Sequence, residues 1–125
     1  MGCGMHGHLE LKVDGRWSHF EELDIDRDYR MFERVAGVRG DEKLAVVAPR
    51  GIPEDVAPAT LYDYEDWSLD AHTPGWIGLG EIHAIALLVG TERMPFLTQV
   101  GIYQQVLHSK AIDATDMRIV FWFDN

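Results

Sequence analysis

The sequence contains one cysteine, Cys3, and this scarcity limits the chemistry that the chain can carry. A single thiol forms no internal disulfide, and it excludes a zinc site built from four thiolates. Disulfides belong mainly to secreted domains, so we expect a protein of a reducing, cytoplasmic compartment. The residues that follow Met1 combine neither a basic segment nor an apolar one, and they therefore predict no secretory signal.

Basic residues are also few. The chain has 11 lysines and arginines against 21 aspartates and glutamates, which gives a formal net charge of -10. Extended nucleic acids and anionic membranes bind protein surfaces that have positive potential, so the negative net charge argues against both as partners. Long apolar runs are missing as well, because the longest mainly apolar stretch, Ile82 to Val89, is far too short to span a bilayer.

Hydrophobic residues make up 46% of the 125-residue chain, which is enough for one ordinary core, and we expect one domain over residues 1–125. Its first element is a strand, because apolar and polar residues alternate from Met5 to Val13. Asp14-Gly15 is a strong hairpin signal, and a second strand follows through Phe20. Arg118 to Asp124 is apolar on both faces, the pattern of a central strand covered on both sides.

The spacing of apolar residues predicts three helices. They cover about residues 27–36, which Gly37 ends, then residues 79–89, and a third stretch that begins at Pro95. Between them we expect a short strand over Leu44 to Ala48, a short helix opened by Pro53, and a long loop over residues 62–80. The predicted fold class is α+β, with a small antiparallel sheet of N-terminal hairpin and C-terminal strand packed by about three helices.

Two histidines and a carboxylate share one face of the first predicted strand. Residues two apart point to the same side of a strand, so His6, His8 and Glu10 form a polar ladder. Such groups bind zinc or manganese when one further ligand joins them, and His72 or Asp124 can supply it. The alternative is that the ladder is the solvated face of an amphipathic strand.

The basic residues are concentrated in one part of the chain. Arg27, Arg30 and Arg34 have the spacing of one helical stripe, and Arg39 and Arg50 lie in nearby predicted loops. Guanidinium groups are the preferred planar partners of phosphate, so a local cluster in an acidic protein suits a small phosphorylated ligand. Alternatively, the arginines pair with the acidic residues interleaved among them, which are Asp24, Asp26, Asp28 and Glu33.

Aromatic side chains crowd the predicted long loop. They are Tyr62, Tyr64, Trp67, His72 and Trp76. Aromatic rings in such a loop can stack on a nucleotide base, an interaction of about 1–3 kcal/mol per base. The alternative is that they hold the loop on the core, and for Trp76 we expect this core role. The sequence has no Gly-x-Ser-x-Gly, Walker or dinucleotide-binding motif, and it predicts no catalytic nucleophile.

Six short stretches resemble a family of small proteins encoded by phages and prophages. Its members open with Met-Gly-Cys-Asp-Ile-His and end in Phe-Asp-Asn. Between these they carry Arg-Asn-Tyr, Leu-Ala-Gly-Val-Arg, Pro-Arg-Gly-Leu-Pro and His-Ser-x-Ser-Trp-Leu segments. The matching stretches here are Met1–His6, Arg27–Tyr29, Val35–Arg39, Pro49–Pro53, His72–Ile77 and Phe121–Asn125.

The resemblance implies a phage or prophage origin, and hence the cytoplasm of a bacterial host, without implying a reaction. It also raises His6 above His8 as a functional candidate. Two departures matter. Gly4 stands where the family has its acidic residue, and Pro74-Gly75 changes the segment after His72. If the family's acidic residue binds a metal or takes part in catalysis, this chain lacks that group.

Together these features predict a phage-encoded protein that sequesters a small phosphorylated nucleotide, a host immune signal, without turnover. The expected ligand-binding residues are His6, His8, Arg27, Arg30, Arg50, His72 and Trp76. A domain of this size offers little concavity, so we expect a homo-oligomer that encloses the ligand.

Two alternative functions stay open from the sequence. One is a metal-dependent phosphoester hydrolase, with a divalent ion held by a set consisting of His6, His8, Glu10 and His72. The other is a protein that inhibits a host factor through its acidic surface.

Overall fold

The fold is built on a four-stranded sheet. A computed structural model of the chain describes residues 2–47 and 49–125. The strands are β1 (Gly4–Val13), β2 (Arg16–Leu23), β3 (His72–Gly78) and β4 (Met117–Asp124). The α-helices are α1 (Tyr29–Ala36), α2 (Pro58–Trp67), α3 (Leu79–Val89) and α4 (Phe96–His108), with single turns of 3-10 helix between them. The predicted α+β class with an antiparallel sheet is confirmed.

All strand pairings in this sheet are antiparallel, and the strand order is β2-β1-β4-β3. Asp14 and Gly15 have positive φ angles of 51° and 78°, as the two central residues of a type I′ hairpin require. The hairpin joins β1 to β2 as predicted, although β2 continues to Leu23. Strand β4 lies between β1 and β3, which confirms the central position predicted from its apolar sequence.

One face of the sheet carries the alternate apolar residues of β1 and β4, and α1, α3 and α4 pack against it. Phe32 of α1 lies edge-on to Phe123 of β4, with ring centroids 5.1 Å apart. The same buried core contains Ile82 and Ile85 of α3 and Val100 of α4. The three predicted helices are therefore confirmed, and their apolar stripes face the sheet.

Helix α2 covers the opposite face of the sheet, which carries the polar ladder of β1. The Ala57 N–H, just before α2, donates to Glu10 at 3.0 Å, and the Trp67 ring lies 4.2 Å from the His6 ring. His8 is only 3% exposed and Glu10 is 0% exposed. The interpretation of the ladder as a solvated strand face is therefore wrong, because a helix lies where the sequence predicts a loop.

The stretch predicted as a long loop, residues 62–80, is occupied by the end of α2, by β3 and by the start of α3. Helix α2 gives little periodic signal, because Thr60 is its one fully buried residue. Strand β3 contains Pro74. An edge strand tolerates proline because the backbone groups on its outer side form no hydrogen bonds to another strand. A register shift between His72 and Gly75 accommodates the proline.

The segment between α1 and α2 also differs from the prediction. In place of a strand over Leu44 to Ala48, residues Glu42–Leu44 form a single 3-10 turn, and Val46 is exposed. Ala48 lies outside the described residues. The helix predicted at Pro53 is only a turn, and α2 begins at Pro58, where a missing N–H breaks no helical hydrogen bond.

A buried ion pair joins β1 to β4 beneath α2. Arg118 Nε donates to Glu10 Oε1 at 2.9 Å, and Glu10 Oε2 accepts the hydrogen bond from Ala57. On its other side Arg118 donates to Asp55 at 3.0 Å, and its guanidinium lies 4.0 Å from the Trp17 ring centre. The two charged side chains therefore tie two strands to the segment that leads into α2.

We predict that Glu10→Gln lowers the free energy of unfolding by about 3–5 kcal/mol, because it leaves the buried Arg118 charge with only its exposed partner, Asp55. The new amide nitrogen also has to face either Arg118 or the Ala57 N–H, and both are donors. Urea unfolding measures the loss. Asp55→Asn is the control, since it alters the exposed partner of the same arginine and should cost less than about 1 kcal/mol. Equal losses in the two variants would contradict the role given to Glu10.

Candidate functional site

The start of β1, the start of β3 and the end of β4 meet at one end of the sheet. Gly4 at the start of β1 pairs with Asp124 at the end of β4, and His72 at the start of β3 pairs with the preceding residue of β4. The Tyr29 hydroxyl, at the start of α1, accepts a hydrogen bond from the Cys3 N–H at 3.0 Å. The antiparallel topology thus gathers segments that are far apart in the sequence.

His6 and Asp124 form a short hydrogen bond at this end. His6 Nε2 lies 2.5 Å from Asp124 Oδ2, and Asp124 Oδ1 accepts a hydrogen bond from the Gly4 N–H at 3.2 Å. Burial alone would raise the pKa of the Asp124 carboxyl, but the hydrogen bonds from His6 and Gly4 outweigh it, so this pKa lies below its ordinary value of 3.8. The carboxylate is therefore ionised at neutral pH and fixes the orientation of the imidazole.

Gly4 lies directly beside this pair. A Cβ atom at position 4 would stand 3.1 Å from Asp124 Oδ2. An acidic side chain at this position would therefore add a second carboxylate next to Asp124. Carboxylate and imidazole groups brought together in this way are ligands for divalent metals. With glycine, this chain has no side-chain oxygen to offer at position 4.

The Cys3 thiol is buried on the apolar side of the sheet, and two arginines lie near it. Burial raises the pKa of the thiol, and a hydrogen bond from Arg39 and the charges of Arg39 and Arg27 oppose the shift without cancelling it. The sulfur is therefore protonated at neutral pH. Cys3 is not an activated nucleophile, but its surroundings bring two guanidinium groups to this end of the molecule.

A groove of about 640 Å³ opens beside this end of the sheet, between the end of α1 and the start of β3. Its lining includes Val38, Arg39, Glu42, Pro49, His72 and Thr73. Arg39 and Thr73 have positive φ angles of 60° and 50°. This backbone conformation is costly for residues other than glycine, and such strain is concentrated at binding and catalytic sites.

His72 contributes a buried ring nitrogen to the groove region. Its Nδ1 lies 2.9 Å from Thr73 Oγ1, and its ring stacks on Phe123 with a centroid distance of 6.1 Å. Its Nε2 is buried and has no hydrogen-bond partner among the residues that the structure describes. When the Thr73 hydroxyl donates to Nδ1, the neutral ring carries its proton on Nε2, which is then an unsatisfied donor.

Arg50 and Trp76 line a small cavity that continues the groove and shares Thr73 with it. The guanidinium of Arg50 donates to both carboxylate oxygens of Glu81, at 2.8 and 2.6 Å, and lies 4.3 Å from the Trp76 ring centre. The bond to Glu81 raises the pKa of Arg50, and the same bond lowers the pKa of Glu81. The charge of Arg50 is thus compensated, and the side chain braces the cavity wall.

The residues predicted to bind a ligand occupy several different places. His72 lines the groove, and Arg50 and Trp76 line the adjoining cavity. Arg27 precedes α1, and Arg30 is exposed on it, so the two do not form the stripe expected of one helix with Arg34. His6 and His8 lie on the other face of the sheet, under α2.

Asp28, one of the acidic residues interleaved among the arginines, has a different role from the predicted pairing. Its side chain caps α1 by accepting hydrogen bonds from the backbone N–H groups of Arg30 and Met31, both at 3.1 Å. It also forms an ion pair with Arg93 at 3.0 Å. The acidic side chain therefore secures the start of α1 and binds a distant arginine.

The residues proposed as a metal set lie in separate environments. They are His6, His8, Glu10 and His72. Glu10 is occupied by Arg118, and His6 is paired with Asp124. His72 lies on the opposite face of the sheet, because it pairs with Phe123 of the apolar core. The structure does not bring these four side chains together.

His8 instead meets three residues that the sequence pattern does not single out, namely His19, Glu22 and Asp63. Its Nδ1 lies 2.9 Å from His19 Nε2, and its Nε2 lies 2.8 Å from Asp63 Oδ2. One ligand atom from each of His8, Glu22 and Asp63 lies within 4.8 Å of the others. Burial and the neighbouring His8 lower the pKa of His19, so its ring is neutral at pH 7.

Comparisons of the chain with protein-family models, with curated proteins and with solved structures found no match. None of the described helices is long and apolar enough to cross a membrane.

We predict that Asp124→Asn destabilises the protein at neutral pH, and that this destabilisation shrinks in acid. A carboxyl whose pKa is depressed by folding stabilises the folded state above its unfolded pKa, and the contribution is lost as the pH falls through the folded value. Urea unfolding of both proteins between pH 7 and about pH 2 measures the difference. Asp70→Asn, an exposed change, should show no such trend. A difference between wild type and Asp124→Asn that is independent of pH would refute this account.

Proposed function

We propose that the protein binds a small phosphorylated ligand, a nucleotide, in the groove bounded by Arg39 and His72, without turning it over. The observation that carries the proposal is the lining of this groove. It includes the guanidinium side chain of Arg39 and the imidazole side chain of His72, whose buried Nε2 atom has no partner among the described residues. A phosphate oxygen is an acceptor that suits both groups.

The size and shape of the groove fit this class of ligand. Ligand sites in proteins commonly occupy about 300–1,000 Å³, and this groove encloses about 640 Å³. The strained backbone of Arg39 and Thr73 supports the same conclusion, because both residues lie in the lining. The net charge of -10 makes the rest of the protein surface repel a long polyanion. A small anion can bind in the groove without contacting that surface.

The chemistry of the lining supports binding without turnover. The Thr73 hydroxyl is bonded to His72, and the one carboxylate among the described lining residues is Glu42, which is exposed. The nearby Cys3 thiol is buried, with a raised pKa. A hydrolase built on His6, His8 and His72 is not proposed, because His72 lies on the other face of the sheet.

The resemblance to phage proteins extends the proposal to a biological role. A phage protein that holds a nucleotide without consuming it can sequester a host immune signal in the bacterial cytoplasm. The groove is open on one side, and we propose that a second copy of the chain closes it over the ligand, in a homo-oligomer.

A thermal-shift screen against cyclic and linear nucleotides tests the proposed function. A ligand present at about a hundred times its dissociation constant should stabilise the fold by about 2.7 kcal/mol. If no nucleotide stabilises the protein, the proposal is wrong.

For a nucleotide that does bind, we predict that Arg39→Ala or His72→Leu weakens binding at least about tenfold by isothermal titration calorimetry, because each removes a donor to phosphate. Arg16→Ala is the matched control. It removes an exposed arginine at the β1–β2 turn, at the other end of the sheet, and should leave the affinity unchanged. An equal loss in Arg16→Ala would show that binding depends on overall charge and not on the groove.

A further inference from the structure

We propose a divalent-metal site formed by His8 of β1, Glu22 of β2 and Asp63 of α2. Each residue offers one ligand atom, and the three atoms lie within 4.8 Å of one another. A metal–ligand distance of about 2.0–2.2 Å places tetrahedral ligand atoms about 3.3–3.6 Å apart around one ion. Glu22 is exposed and Asp63 is partly so, which leaves both side chains room to rotate toward an ion.

The contacts of the His8 ring prepare one of its nitrogens for a metal. A neutral imidazole has one N–H and one lone pair. His8 Nδ1 lies 2.9 Å from His19 Nε2, and His8 Nε2 forms a hydrogen bond with Asp63 Oδ2 at 2.8 Å. A carboxylate only accepts, so without a metal the proton lies on Nε2. A bound ion would replace this proton, and His8 would then donate from Nδ1 to His19 Nε2, with the His19 ring in the opposite tautomer. His19 then serves as the positioning residue that metal-binding histidines usually have on their second nitrogen.

The charges of the cluster also favour a bound cation. Glu22 and Asp63 are two carboxylates beside a buried ring, and His8 is 3% exposed. Among residues 2–47 and 49–125, no lysine or arginine forms an ion pair with either carboxylate. A divalent ion would compensate the pair of negative charges.

The ligand set favours a particular class of metal. One imidazole nitrogen and two carboxylates form a mixed nitrogen and oxygen set, which suits manganese and zinc and is a poor match for soft ions that prefer sulfur. Asp63 has 34% of its side chain exposed, so an ion can enter from solvent and keep water in its remaining positions. This site lies on the sheet face under α2, and its occupation does not depend on the proposed function of the groove.

Calorimetric titration of untagged protein with MnCl2 and with ZnCl2 tests the site. We expect one ion of at least one of these metals to bind per chain, and binding to weaken at least about tenfold in Asp63→Asn and in Glu22→Gln. Asp66→Asn, an exposed carboxylate on the same helix, should bind like wild type. Circular dichroism checks that each variant is folded. We expect the Glu22 and Asp66 variants to fold, because both side chains are exposed.

Three results would overturn the proposal. They are that neither metal binds at concentrations up to the order of 1 mM, that both ligand variants bind as tightly as wild type, or that Asp66→Asn weakens binding as much as the ligand variants do.

A second readout is independent of affinity. On addition of Zn²⁺, the Nε2 resonance of His8 should move in 15N NMR spectra, and the Nε2 resonance of His72 should not. The reverse pattern would place the ion elsewhere. Loss of nucleotide binding, in contrast, would leave both expectations intact.

Discussion

The carboxylate of Glu10 lies where β1, β4 and the segment before α2 meet. One of its oxygens binds Arg118 of the neighbouring strand, and the other accepts the Ala57 N–H that precedes the helix. Because a buried charge cannot be left without partners, these contacts determine where α2 starts on the sheet. The position of α2 in turn brings Asp63 to His8 and Trp67 to His6. The arrangement of the polar face therefore depends on this ion pair.

The elements that bury one face in the apolar core could be predicted from the sequence, because burial imposes a period. The β1–β2 hairpin and helices α1, α3 and α4 are of this kind, and β4 shows its central position by being apolar on both sides. Helix α2 and strand β3 escaped prediction for the opposite reason. Helix α2 covers polar partners, and β3 is an edge strand interrupted by Pro74.

The partners of His8 in its cluster could not be predicted from the sequence. Extending the register of the Asp14-Gly15 turn without interruption would place Glu21 opposite His8. A bulge between Leu9 and Glu10 shifts the register by one residue, and Glu22 takes that position. Asp63 arrives from a helix that the sequence did not predict. His8 could be named as a candidate ligand from its place on the strand, whereas its partners depend on tertiary packing.

The sheet separates two kinds of chemistry. On the apolar face, near the end of α1, lies the groove lined by Arg39 and His72, which we propose to receive an anion. On the face under α2, His8 and two carboxylates offer electron pairs to a cation. The two proposed sites lie on opposite faces of the sheet, so an anion in one and a cation in the other do not compete for the same side chains.

Anion binding in the groove is the central claim, and the state of the His72 side chain reports on it most directly. The measurement is histidine side-chain NMR during titration with a nucleotide that stabilises the fold. We predict that the Nε2–H of His72 shifts to saturation and becomes protected from solvent exchange, because it donates to phosphate. The His8 ring should stay unchanged, since it lies across the sheet. A saturating titration that leaves the His72 resonances in place would contradict the account.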